Sequence, residues 1–236
     1  MNIVIYIYQG MTMLDAIGPY EVLRNVEGAK IKLVAKEKGE ITADSNFVHL
    51  NAKYSIDEVN EADILLIPGS TIAFVREMKD QKVLNWIKRI NENTLKTVSV
   101  CTGSMILAAT GLLKGKKATS HWKPIDLLAN FDAIPTRERI VEEGKFITAA
   151  GVSAGIDMAI YLLDQLYGEK VAKAAQLSIE YDPHPPFQSG SYLTAEKEVI
   201  QLSEKIMTRD ARKNLSPWEV IKHAKNLLQL QKKPKS

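Results

Sequence analysis

The chain has 236 residues, 45% of them hydrophobic and 25% charged, with a formal net charge of +3 and one cysteine. That is enough apolar chain for one large α/β domain with a full core, or for one domain plus an appendage. Much of the positive excess lies in Lys232-Lys233-Pro234-Lys235, so no basic face points to nucleic acid, and the single Cys101 rules out an internal disulfide.

The opening Met1-Asn2-Ile3-Val4-Ile5-Tyr6 carries no charged leader, and no apolar run approaches a membrane span. A cytoplasmic protein of a reducing compartment, acting on a small molecule and touching neither membrane nor nucleic acid, is the expectation. In chain order, residues 3–8 read as a buried strand and 15–26 as a helix bent near its start by Gly18-Pro19. Residues 30–35 form the next strand, and the polar stretch 40–57 reads as short strands and loops. The strand 63–67 stops at Pro68-Gly69, helical patterns follow at 72–78 and 81–92, and 96–100 is a strand running into Cys101 and a helix over 102–112. His121-Trp122 opens a further helix. Residues 139–142 and 146–149 make a hairpin, 154–166 and 171–180 helices, 181–190 an irregular segment, and 194–207 and 216–230 terminal helices. Alternating strands and helices predict a parallel sheet covered on both faces, with ligands beyond the strand carboxyl ends. Gln9-Gly10, Pro68-Gly69 and Cys101 each follow a strand and gather at that edge.

The run Val98-Ser99-Val100-Cys101-Thr102-Gly103-Ser104 has the form of a nucleophile elbow, a sharp strand-to-helix turn that exposes one side chain among backbone N–H groups. A helix start favours the reactive thiolate, although about 2 kcal/mol from a helix terminus does not ionise the thiol fully. A protonated carboxylic acid donating to sulfur adds a charge-assisted bond, and such an acid needs a confined apolar site. Asp15, in Met13-Leu14-Asp15-Ala16-Ile17, is the candidate, with helix capping as the alternative. The alternative for Cys101 is a buried small hydrophobe, which its strand–Cys–Thr–Gly–helix context disfavours. Thr102 offers an amide beside sulfur and a hydroxyl to substrate, or only a local helix-start bond; Gly69 and Ser70 offer further amides, or a plain turn. His49, His121, His184 and His223 show no metal spacing, and no Gly-rich phosphate loop occurs, so neither metal nor organic cofactor is expected. A packing or capping role for His121 outweighs a catalytic one.

Four segments together resemble the ThiJ/PfpI superfamily, whose domain is similar to the class I glutamine amidotransferase fold: Asp15-Ala16-Ile17-Gly18-Pro19-Tyr20-Glu21-Val22-Leu23, Leu65-Leu66-Ile67-Pro68-Gly69, Val100-Cys101-Thr102-Gly103-Ser104 on through Ala118-Thr119-Ser120-His121-Trp122, and Thr148-Ala149-Ala150-Gly151-Val152-Ser153-Ala154-Gly155-Ile156-Asp157-Met158. The resemblance covers about residues 1–190 and leaves 191–236 as a C-terminal helical extension. It implies a flavodoxin-like three-layer α/β sandwich with a mostly parallel sheet, a cysteine nucleophile elbow and a homodimer. Asp15, Thr102 and the Tyr181–Phe187 segment match the isonitrile hydratase subgroup, which implies cysteine-dependent hydration of an isonitrile to an N-substituted formamide. Ser70 departs from the second glycine that many relatives carry after Pro-Gly, which puts pocket shape and substrate in question. The peptidase-type members have histidine after the cysteine, where this chain has Thr102. Regulators that add a helix-turn-helix pair need more chain than residues 194–236 supply. The competing readings are a hydrolase or glyoxalase-type enzyme on reactive carbonyls, and a non-enzymatic sensor whose thiol climbs the oxidation ladder.

Overall fold

A computed structural model describes residues 1–213. The strands and helices run β1 (Asn2–Tyr6), α1 (Met13–Leu23), β2 (Lys30–Ala35), β3 (Gly39–Thr42), β4 (His49–Ala52), β5 (Tyr54–Ser55), β6 (Ile64–Ile67), α2 (Phe74–Glu77), α3 (Gln81–Asn93), β7 (Lys96–Val100), α4 (Gly103–Ala109), β8 (Lys117–Ala118), β9 (Ile134–Pro135), β10 (Ile140–Glu143), β11 (Phe146–Ala149), α5 (Ala154–Tyr167), α6 (Glu169–Ser178) and α7 (Lys197–Lys213). A 3₁₀ segment, Ile125–Phe131, precedes β9.

The main sheet has the order β10-β11-β7-β6-β1-β2-β5. All its pairings are parallel except β10 with β11. Its central strands are buried on both faces, which is why Ile64-Leu65-Leu66-Ile67 is a continuous apolar run rather than an alternating one. Helices α1, α5 and α6 pack with one another, and α2 and α3 pack with α4, giving the helical layers of a flavodoxin-like α/β sandwich. From β1 the parallel strands are added first on one side (β2) and then on the other (β6, β7, β11), so the strand order reverses between β1 and β6, the place where such sheets open a crevice for ligands.

Local chemistry sets the packing that matters to this crevice. Asp80 starts α3 by accepting from the Lys82 and Val83 amides (3.1 and 3.3 Å), and Val83, Leu84, Ile87 and Ile90 turn inward. Helices α1 and α5 approach closely at two glycines: a Cβ on Gly18 lies 3.0 Å from Ile156, and one on Gly155 lies 3.1 Å from Val100 and 3.2 Å from Pro19. This contact seats both helices above the end of β7.

The elements depart from the sequence reading in places. Strand β1 ends at Tyr6, although Ile7 still donates to the Val34 carbonyl (2.8 Å). The helix expected over 72–78 is only the single turn α2. The helix expected over 102–112 stops at Ala109, where Thr110 turns its hydroxyl back onto the Leu107 carbonyl. His121 and Trp122 lie in a turn before the 3₁₀ segment rather than in a helix. The helix foreseen at 194–207 is α7; the one foreseen at 216–230, and the lysine-rich end, lie outside the described residues. No helix among the described residues is long and apolar enough to cross a membrane.

Candidate active site

Strand β7 delivers Cys101 into the turn before α4 with φ 58°, a left-handed conformation that a non-glycine residue adopts only when its surroundings hold it there. Its N–H donates to the Ala149 and Ala150 carbonyls (3.0 and 2.9 Å), and its carbonyl accepts from the Ser104 and Ser120 hydroxyls (3.1 Å each). Two glycines let the neighbouring loop close on this turn. A Cβ on Gly103 meets the Ile67 oxygen at 2.1 Å, and one on Gly69 meets the Thr102 nitrogen at 2.5 Å. The seven-residue α4 gives a shorter dipole than the sequence promised.

Asp15 occupies the first turn of α1 and is wholly buried. It does not cap its own helix. Its Oδ2 accepts the Gly69 N–H across the crevice (2.9 Å), while Oδ1 makes no regular hydrogen bond among the described residues and the carboxyl faces the Cys101 thiol. Burial raises the Asp15 pKa from 3.8 to about 7; the Gly69 amide opposes this, the Asp44 carboxylate adds to it, and the thiol pulls it back. A neutral carboxyl is the form that least penalises an unpartnered buried oxygen. Burial also lifts the Cys101 thiol well above its ordinary value, and the Asp15 charge lifts it further, against the pull of the Thr102 and Val152 amides. Desolvation therefore opposes the thiolate that the helix start favours, in line with the expectation that the helix terminus does not ionise the thiol fully. Over the intermediate pH range the two groups hold one proton between them, as S–H beside carboxylate or as thiolate beside acid.

Three candidate residues sit where expected but use their polar groups differently. The Gly69 amide is taken by Asp15 and the Ser70 amide by Thr102 Oγ1 (2.8 Å), so neither is left to hold a developing anion. Thr102 Oγ1 also donates to the Ser70 carbonyl (2.8 Å), so its hydroxyl ties the β6 loop to the elbow instead of pointing at substrate. The amides that reach sulfur belong to Thr102 and Val152. Val152, at φ 34°, was not singled out from the sequence, because a small-residue run gives no hint of which amide turns inward.

Cys101 and Thr102 border a cavity of about 840 Å³. His121 lines it with the Cδ2 edge of its ring against Gly151, where a Cβ would lie 2.8 Å from that carbon. Burial, helped by Lys123, lowers the His121 pKa to about 4, so the ring is neutral at physiological pH. Asp44, hidden in the polar stretch 40–57, also lines the cavity; its Oδ2 accepts from Thr12 (2.7 Å) and Thr71 (3.0 Å), joining the start of α1 to the β6 loop. Glu204, Met207, Thr208 and Ala211 of α7 complete the wall. Among the described residues no group of three or more His, Cys, Asp or Glu is placed to hold a metal ion.

A flavodoxin-like sheet with a cysteine elbow, and a buried acid reaching that cysteine from the first helix, define the class of protein. The sequence pattern of the DJ-1/PfpI family matches residues 1–165, and the chain belongs to that family. It is similar to isonitrile hydratase of Pseudomonas putida, 35% identical over 211 residues that span 89% of this chain and 88% of that protein. A ThiJ/PfpI family protein from Pseudomonas syringae superposes with a TM-score of 0.84 at 36% identity, over 90% of this chain and 88% of that one. Deglycase PfpI of Pyrococcus furiosus is 28% identical over 138 residues, 58% of this chain and 81% of that protein.

Proposed function

We propose that the protein is a cysteine-dependent enzyme that hydrates an isonitrile to an N-substituted formamide. One observation carries the reading: a fully buried carboxyl whose pKa is pushed to about 7 faces the elbow thiol at the edge of a ligand-sized cavity. The similarity to an isonitrile hydratase over most of both chains supports it.

An isonitrile offers a terminal carbon that accepts a soft nucleophile and then needs a proton. The one-proton Cys101–Asp15 pair supplies both. Sulfur bonds to the isonitrile carbon, and the pair's proton passes to the same carbon, leaving a thioimidate on Cys101 and a carboxylate on Asp15. Asp15 then takes a proton from water as the hydroxide adds to the thioimidate carbon, and that proton goes to nitrogen. Collapse of the adduct breaks the C–S bond, releases the formamide, and returns the hydroxyl proton to the pair. The sum is isonitrile plus water giving formamide. The Thr102 and Val152 amides, directed at sulfur, favour its anionic form at the departure step. No step calls for a metal or organic cofactor.

The test is to follow formyl-proton appearance by NMR with a panel of isonitriles, using wild type, Cys101→Ala and Asp15→Asn. Turnover by wild type alone is expected. Full consumption of substrate by Cys101→Ala refutes the covalent route. The deglycase relative favours a second reading, chemistry on a reactive carbonyl such as methylglyoxal, which the same panel separates: carbonyl loss without isonitrile loss supports it.

A further inference from the structure

The cavity is lined on one side by Glu204, Met207, Thr208 and Ala211. The spacing i, i+3, i+4, i+7 marks a single face of α7, so one helix closes that side. Helix α7 lies beyond residue 165, where the family pattern ends. The elbow, the buried acid and the β6 loop all come from the matched part, whereas this wall does not. On that face Met207 is the one long apolar side chain, set among an acid, a hydroxyl and a methyl group. It is partly buried and lines the same space as Ile72, Phe74 and Leu127. A cavity of about 840 Å³ is far larger than a methyl-substituted isonitrile requires, so the size of the substituent is set by the walls and not by the catalytic pair.

We infer that α7 is the specificity wall of the active site, with Met207 limiting the bulk of the group that a substrate carries away from its reacting atom. This deepens the isonitrile reading and rests on it for the identity of the substrate, but the wall itself does not. Methionine suits such a position, since its flexible thioether adapts to groups of differing shape. Replacing it acts on fit alone: Met207 is not part of the Cys101–Asp15 pair, and among the described residues none of α7 hydrogen-bonds to that pair.

The experiment compares two substrates in two variants. Met207→Trp is expected to lower kcat/KM for benzyl isonitrile by about tenfold or more relative to methyl isonitrile, the scale on which pockets discriminate by size. Met207→Ala is expected to move the same ratio the other way, and it covers the case in which the tryptophan variant fails to fold. A second readout needs no isonitrile chemistry: the rates at which iodoacetamide and N-phenylmaleimide alkylate Cys101. Their ratio is expected to follow the same order across wild type and the two variants. If wild type consumes no isonitrile, the functional reading fails while the alkylation ratio still tests the wall. Variants that change both reagents by one common factor, or change neither, overturn the inference.

Discussion

Asp15→Asn isolates the energetic cost of keeping a carboxyl at this position. The side chain is buried, and its pKa rises from 3.8 to about 7, chiefly through desolvation. A folded-state value above the unfolded one means that the native protein holds the proton more tightly. The stability this confers is complete below about pH 4, falls as pH rises between the two values, and is gone above about pH 7. At about 1.4 kcal/mol per pH unit, the wild type loses about 4 kcal/mol across that window because of Asp15 alone. Asparagine keeps the shape and an oxygen for the Gly69 amide but does not titrate. Urea unfolding of both proteins at pH 4 to 8 measures the difference. Asp15→Asn should gain on the wild type steadily with pH, by about 4 kcal/mol in all, within a factor of two. A difference that stays flat over this range would falsify the claim that Asp15 is buried as an acid with a raised pKa.

Four further outcomes follow from the same geometry. Because the reactive form of the pair carries one proton, kcat/KM should climb as pH rises through about 7 and decline again only well into the alkaline range, as a pH–rate profile will show; a profile already at its plateau by pH 5 contradicts this. Asp44→Asn retains an acceptor for Thr12 and Thr71 but removes the charge that raises Asp15, so the rising limb should move to lower pH; an unmoved limb denies Asp44 that role. Thr102→Val leaves the buried Ser70 N–H and carbonyl without partners, and denaturant unfolding should register a loss of about 2–4 kcal/mol that Thr102→Ser restores. Gly103→Ala drives a methyl into the Ile67 carbonyl, and a destabilisation of about 3 kcal/mol or more is expected in the same assay.

Much of this site was legible in the residues because it depends on strong local signals. Unbroken apolar runs such as Ile64–Ile67 mark strands covered on both faces, and a lone cysteine followed by Thr-Gly between a β-branched run and helix formers marks the elbow. An aspartate within an apolar helix start drew attention because so few neighbours there could solvate it. What stayed hidden depends on partners distant in sequence. Whether the Gly69 and Ser70 amides face substrate or protein is decided by Asp15 and Thr102, which lie 54 and 32 residues away. Asp44 lies in a stretch with no periodicity, and its value comes from two hydroxyls in other loops. The two-residue pairing of β8 with β9 is too short to leave a pattern. Helix α7 could be foreseen as a helix, but its docking over the cavity depends on tertiary placement.

The bond pair between Thr102 and Ser70 uses only main-chain atoms of the serine. The join therefore does not depend on the Ser70 side chain, whose Oγ accepts from the Phe74 amide and lies at the cavity edge. Mutational drift at this one position can resculpt the binding site's floor while the anchorage of the nucleophile is left untouched. A lineage built this way can explore new substrates without first dismantling its chemistry.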